Sequence, residues 1–497
     1  MIKSKKIILL VILALFVWFL RPFFHSFAMI GYVSPLRLIL VLVVLFILFS
    51  IYKQIFPLKM IQKGLANYAV PTKPVSWRGI SFLSVVLILI LFLLSFENAI
   101  RYRIIANQTD YASRQSLPEI SPLRLVPKPV AQRFASDSFQ NPQEHLGDSQ
   151  IVLINDKLTR VFPRLPDGII LFLTKKLNGF VTVNIDTLEK QVKIEDQKFT
   201  YSEGIGILDN IYFQLLKKKY FITYSNEPIY LKNAKEEWIT VVPYINYRGF
   251  PFRVPYWGGV MIVASNGEII NLTPEQAQEL NYLEGNRIYP KELSKIYAES
   301  YAYKGGLINY WFLHKNQTEI VSLPTDETVI HQATKEGLKQ ILVAEPFGRS
   351  YGIYKIFIFD ATTGKREIIE YDQNSQLTGP VSAADYIKKA FPTYDWTYFQ
   401  LSEPRPITMN NNLYWLLSVI PSDSAGIAST VFFDAKTNNV IKADNEAQIN
   451  EFLSTQKISS TPQAQNSSAN SLNSADQINQ IINNLQSQLD ELKKLVK

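Results

Sequence analysis

Five residues, Gly348-Arg349-Ser350-Tyr351-Gly352, match the G-x-S-x-G pattern on which a serine hydrolase carries its nucleophile. The chemistry would be acyl transfer, with Ser350 activated by a histidine that a carboxylate orients. That motif needs a sharp strand-to-helix turn, whereas Ser350 lies between two strand-like runs, Ile341 to Ala344 and Tyr354 to Phe359. Where this turn is used the histidine follows the serine, yet His25, His145, His314 and His331 all precede Ser350. The pentapeptide therefore reads as a hairpin loop; an envelope hydrolase stays as an alternative, and no catalytic residue is assigned. The histidines lack the close spacing of a ligand set, and His314, beside Trp311 and Phe312, reads as a solvent-facing strand residue. The chain has no Cys, which rules out thiolate metal sites and a disulfide framework. No metal or cofactor is expected.

Asp186, Asp360 and Asp434 form a possible carboxylate set. Each stands at an equivalent turn position, so their expected work is to cap turns by accepting backbone N–H groups. The surface with the composition of a recognition loop is Arg248, Phe250, Phe252, Arg253, Tyr256 and Trp257, with Gly and Pro between them. Such a loop suits a protein partner; equally, its aromatics can fold into the local core.

The elements that carry these residues begin with three apolar runs, Ile7 to Leu20, Leu38 to Phe49 and Ile80 to Phe96. The third holds fourteen Ile, Leu, Val or Phe residues and three Ser. At roughly −0.3 to −0.6 kcal/mol per central apolar residue, its insertion into a bilayer is favourable by several kcal/mol. The first spans only about 21 Å as a helix against a hydrocarbon core of about 30 Å, so it must recruit Phe23, Phe24 and Phe27. The second must likewise recruit Ile51 and Tyr52, and Arg21 and Arg37 then sit near the outer ends, where their stems can snorkel. A cleaved signal peptide is the rival for the first run, with Ser26 and Ala28 at small positions.

Charge sets the orientation. Lys3, Lys5 and Lys6 precede the first run, and Lys53, Lys59, Lys63, Lys73 and Arg78 lie between the second and third, with no acid in either segment. The positive-inside rule puts the N-terminus in the cytoplasm and everything after the third run outside the cell membrane. Beyond residue 103 the chain carries 39 basic and 42 acidic residues, so the pI of 9.1 is an orientation signal and not a nucleic-acid-binding face.

Within the outer region a single pattern recurs: an apolar run ending in Pro, a loop, a second apolar run and a polar turn. The copies are Ile239 to Pro243 with Val260 to Ile270, Ile341 to Pro346 with Ile356 to Lys365, and Leu416 to Pro421 with Val431 to Asn439; Val181 to Glu189 is a fainter one. Gly364 and Asn438 can accept the positive φ that a strand reversal requires. Helices are expected over Glu275 to Leu283, Pro290 to Lys304 and Ser382 to Phe391. The runs Phe357-Ile-Phe-Asp360-Ala-Thr-Thr-Gly364-Lys and Phe432-Phe-Asp434-Ala-Lys-Thr-Asn438 resemble the C-terminal signature of PepSY-type domains. The resemblance implies small helix-plus-sheet modules, commonly membrane-linked, that regulate envelope peptidases.

At the C-terminus Ile478, Ile481, Leu485, Leu489, Leu492 and Val496 recur at spacings of three and four, the seam of a coiled coil able to pair weakly with a second copy. The expected fold class is a membrane-anchored α+β protein: three N-terminal transmembrane helices, an extracytoplasmic region of repeated helix plus antiparallel β-meander units, and a C-terminal coiled-coil helix. Its parts are an anchor over 1–100 with helices at about 7–28, 34–54 and 79–98, a Pro-containing spacer over 101–147, and an N-terminal α+β region over 148–235. A first repeat region over 236–335, second and third repeats over 336–455, a disordered linker over 456–476 and the coiled-coil helix over 477–497 follow. The expected function is that of a non-enzymatic envelope membrane protein that contacts the lipid bilayer and binds or organises a protein partner.

Overall fold

The computed structural model describes residues 16–55, 58–63, 66–71, 77–323, 328–348, 352–372, 377–424 and 426–457. Ser350, most of the linker and the coiled-coil seam from Ile478 to Val496 lie outside these residues. The described chain is a mixed α+β fold built on antiparallel sheets.

Two described helical segments are long and apolar enough to cross a membrane, Phe16–Val33 and Ser84–Gln108; Pro35–Phe49 is a shorter apolar stretch. Two of the three expected spans are thus present as such among the described residues, and the middle one corresponds to the helix Pro35–Ile55, whose described apolar stretch runs to Phe49. The helix Trp77–Gln108 has 32 residues, about 48 Å at 1.5 Å per residue, which exceeds a hydrocarbon core of about 30 Å. Its last turns therefore continue into the folded region, where Ile105 and Ala106 are buried. Arg37 Nε lies 3.3 Å from the buried Glu97 carboxylate, which also pairs with Arg101, and Arg101 donates to the Val33 carbonyl at 3.3 Å. Arg21 donates to the Lys217 carbonyl at 2.6 Å and covers the Trp18 ring. Both arginines expected to snorkel are instead held by protein partners, which spares each a bare charge at an apolar boundary.

Beyond this segment the same unit occurs four times: a helix, an edge strand split in two, a long strand, then two further antiparallel strands. The first unit is Lys128–Ser138, Glu144–Leu146 with Gln150–Ile154, Lys157–Pro166, Leu177–Asn184 and Val192–Phe199. The second is Ile211–Lys218, Thr223–Tyr224 with Ile229–Lys232, Trp238–Arg248, Val254–Ala264 and Ile269–Leu272. The third is Lys291–Ser300, Thr318–Ile320 with Ile330–Thr334, Gly337–Pro346, Lys355–Asp360 and Arg366–Glu370. The fourth is Pro380–Ala390, Phe399–Met409, Asn412–Pro421, Ser429–Asp434 and Val440–Ala443, closed by the helix Glu446–Thr455. Its edge strand is continuous, but the register breaks between Ser402 and Arg405, at the place where the other three are interrupted.

The strand pairs read from the sequence are antiparallel neighbours: Ile239 opposes Ala264, Ile341 opposes Ile358 and Leu416 opposes Phe432. The fainter copy belongs to the first unit, where the long strand Lys157–Pro166 pairs with Leu177–Asn184. Helices fall near their expected places, at Pro274–Gln278, Lys291–Ser300 and Pro380–Ala390. Asp360 Oδ1 accepts from the Thr362 and Thr363 amides, and Asp434 Oδ1 from Lys436 and Thr437, while Gly364 and Asn438 take positive φ. Asp186 instead accepts from the Leu158 amide at 3.3 Å, across to the long strand.

The units bury their sheets against one another. Val161, Phe180 and Phe199 of the first meet Val241, Val260 and Ile262 of the second. Ile341, Ile356 and Ile358 of the third meet Trp415, Val431 and Phe433 of the fourth, with Ala383 and Ile387 of the intervening helix between them. Each unit has two apolar sheet faces, so a single copy would leave one face in water. The 101–147 stretch is folded and not a free spacer: Lys128–Ser138 buries Val130, Ala131, Phe134 and Ala135 against the first sheet, and Ala112–Ser113 pairs with Arg366–Glu370. Its prolines start the helix Lys128–Ser138 at N1/N2 and shape turns, and do not keep the chain extended.

Candidate functional site

The interruptions of the first three edge strands converge. Gly147 to Ser149 fills the first and Ser225 to Pro228 the second, and Ser149, Glu227 and, just before the strand Ile330–Thr334 of the third unit, Thr328 and Val329 all line one cavity of about 320 Å3. In the fourth unit the interruption is a bulge, with Glu403 at φ +50°. A non-glycine residue in that region is strained, and such a bulge re-aims a side chain. Glu403 is turned inward, where it accepts from the Lys128 amide at 2.7 Å and lies 3.1 Å from Arg124 and 3.9 Å from Arg160.

Four buried guanidinium groups gather here, Arg124, Arg160, Arg287 and Arg405, each only 2 to 4% exposed. Arg160 donates to Ser149 Oγ at 3.2 Å and lines the cavity. Arg287 donates to Glu227 at 2.9 Å and to Gln150 at 2.5 Å; Lys291 also pairs with Glu227. Arg405 donates to the Arg124 carbonyl and, at 3.2 Å, to Ser418 Oγ. Burial opposes the ionisation of Glu227, but Arg287 and Lys291 outweigh it and hold the carboxyl at about 2. Burial likewise works against Glu403, yet Arg124, Arg160 and Arg405 keep it below the usual range. Arg405 itself is pushed down to about 9 by burial and by Arg124. His331, on the cavity wall, is held neutral by burial and by the nearby Arg287 and Lys291. Such a site is electropositive, and it places donors around a small volume.

The sequence-derived recognition loop is dispersed. Arg253 lies over the Tyr32 ring at 3.9 Å, and Arg248 donates to Gln108 at 3.2 Å, so both reach the N-terminal apolar segment. Trp257 packs edge-on to Tyr289 and joins the core, Tyr256 sits under Arg248, and Phe252 is half-buried. Phe250 points out at 73% exposure. His314 is not a strand residue: it ends the Asn309–Leu313 turn in a left-handed conformation and stacks on Phe347 with ring centres 4.0 Å apart. His145 is exposed near Asp167, and His25 contacts the Ile222 carbonyl at 2.9 Å. The four histidines thus sit in four separate surroundings. Gly348 and Gly352 flank Ser350 between the strands Gly337–Pro346 and Lys355–Asp360.

Sequence reasoning missed the arginine cluster. Its signal was Arg160 inside the apolar run Leu158 to Phe162 and Arg405 between two prolines, charges where a strand should be apolar. No protein-family model matches the chain, and no curated protein is detectably similar to it in sequence.

Proposed function

We propose that the protein is a non-enzymatic, membrane-anchored binding protein of the cell envelope. Its apolar N-terminal segment anchors it in the cell membrane with the N-terminus in the cytoplasm, and the Arg21 to Val33 part of that segment lies on the outer side against the folded region. The four-unit region stands outside, where it binds or organises a protein partner. One observation carries this reading: two groups of exposed apolar side chains of the folded region lie beside residues that pack on the apolar helices. Trp311 packs on Phe96 with ring centres 5.2 Å apart, and next to it Ile308, Phe312 and Leu313 are exposed, Phe312 at 75%. Phe213 packs on Phe19 and Phe23, and a few residues earlier Ile207 and Leu208 are exposed close to the turn bearing Ile169 and Ile170. Water would penalise such a rim at roughly 25 cal/mol per Å2, whereas an acyl boundary would not.

The test has two arms. Protease added to intact spheroplasts removes the region beyond Arg103 if the orientation is right; full protection defeats it. A photo-crosslinker at Phe250, in the full chain in native membranes, gives a discrete protein adduct if a partner is bound. Lipid adducts alone would defeat the partner-binding claim and leave the anchor.

The fourfold repetition of helix plus antiparallel meander favours a second reading, a PepSY-like regulator of an envelope peptidase. It requires a peptidase that co-purifies with the chain and changes rate when the chain is removed.

A further inference from the structure

The cavity lined by the first three edge-strand interruptions carries more positive charge on its wall than its own carboxylates neutralise. Its wall carries five cations, Lys128, Arg160, Arg287, Lys291 and Lys295, of which Arg160 and Arg287 are buried; Arg124 and Arg405 are buried around Glu403 and not on the wall. Against the wall's cations stands Glu227, already shared by Arg287 and Lys291, while the buried Glu403 faces Arg124 and Arg160. The exposed Asp148 and the half-buried Glu292 also face the cavity; Glu292 accepts from Ser225 Oγ at 3.0 Å. Polar atoms remain unused: Nε of Arg287 on the wall has no hydrogen-bond partner in the protein, nor does Nε2 of His331, which donates in one of its two neutral tautomers, nor do Nε and Nη1 of Arg124 nearby, all shielded from solvent. A buried charge is tolerated only when paired and hydrogen-bonded. Folding has instead assembled these groups from five separate segments, and it strains the backbone at Glu403 to bring the one buried carboxylate among them.

We propose that this cavity binds a phosphate-type oxyanion, either the free ion or the phosphomonoester head of a larger molecule. Two negative charges match the excess of the five wall cations over Asp148, Glu227 and Glu292, and the planar guanidinium edges of Arg160 and Arg287 suit tetrahedral oxygens. Ser149 and Thr328 supply neutral hydroxyls on the wall. The volume of about 320 Å3 is at the small end of ligand sites, near ~300 Å3, which favours a compact anion. The inference is independent of membrane orientation and of any protein partner.

The experiment uses the full chain in detergent micelles at fixed ionic strength, with sodium phosphate, glycerol phosphate or sodium chloride as titrant. Calorimetric binding and a rise in melting temperature that saturates with phosphate or glycerol phosphate, and is absent with chloride, are the expected results. Glycerol phosphate alone would assign a head group, and inorganic phosphate binding as tightly or more tightly would assign the free ion. Lys291→Met, at a half-exposed side chain whose partner Glu227 keeps Arg287, should weaken binding roughly tenfold, the loss of one charge-assisted hydrogen bond. Equal responses to phosphate and chloride, or undiminished binding by Lys291→Met together with Arg287→Lys, would overturn the proposal.

Discussion

The guanidinium of Arg253 lies 3.9 Å above the centre of the Tyr32 ring. It ties the loop after the second long strand to the helix His25–Val33, and so fixes the second unit on the N-terminal segment. Arg101 and Tyr102, on the helix Trp77–Gln108, do the same at Val33 and Glu299.

Removing either partner of the Arg253–Tyr32 contact should loosen that junction. In a double-mutant cycle of Arg253→Ala and Tyr32→Ala, the coupling energy expected for a partly buried cation–π pair is about 1 kcal/mol. A coupling of zero, read from denaturation midpoints, would show that the two side chains act separately.

Glu203 gives a pH dependence. Burial raises its carboxyl to about 7, against a hydrogen bond from Tyr230 at 2.6 Å that lowers it. In the unfolded chain the group titrates near 4.5. Between these values the folded state holds the proton and the unfolded state does not, so stability is greatest below pH 4.5 and falls until pH 7. The full loss is on the order of 3 kcal/mol. Glu227 acts oppositely, its contribution being present above 4.5 and lost as pH falls toward 2. Glu203→Gln should flatten denaturation midpoints between pH 5 and 7; an unchanged slope would exclude Glu203 as its source.

Trp415 is fully buried where the third and fourth units meet, and its Nε1 donates to the Thr378 carbonyl at 2.8 Å. Trp415→Ala should cost about 3–5 kcal/mol by opening a cavity between two sheets. Trp415→Phe keeps most of the packing but strands the carbonyl, for about 1–3 kcal/mol. Comparable losses for both would make the hydrogen bond, and not the packing, the main contributor.

The heptad positions from Ile478 to Val496 predict weak self-association through the C-terminal helix, because a helix of this length needs a partner to complete its seam. Leu485→Asp with Leu492→Asp should return the detergent-solubilised chain to monomer in sedimentation. A parent already monomeric at high concentration removes the self-association.

What the sequence determined by itself is local. Fourteen apolar residues between Ile80 and Phe96 dictate a long apolar helix whatever surrounds it, because insertion and helix formation depend on composition over one short window. The pairing of Ile341 with Ile358 and the Asp360 turn follow from alternation and turn chemistry over a short stretch of chain. The tertiary structure alone decided what depends on distant segments. Arg405 meets the Arg124 carbonyl across 281 residues of sequence, and Glu403 reaches Arg124 only because the fourth edge strand bulges where the other three are interrupted. Arg253 and Trp257, close together in the sequence, separate toward Tyr32 and toward Tyr289, because Arg253 lies in the loop before the strand Val254–Ala264 and Trp257 lies within it. Periodicity can say that a residue lies on a face; only the packing of four units says what that face meets.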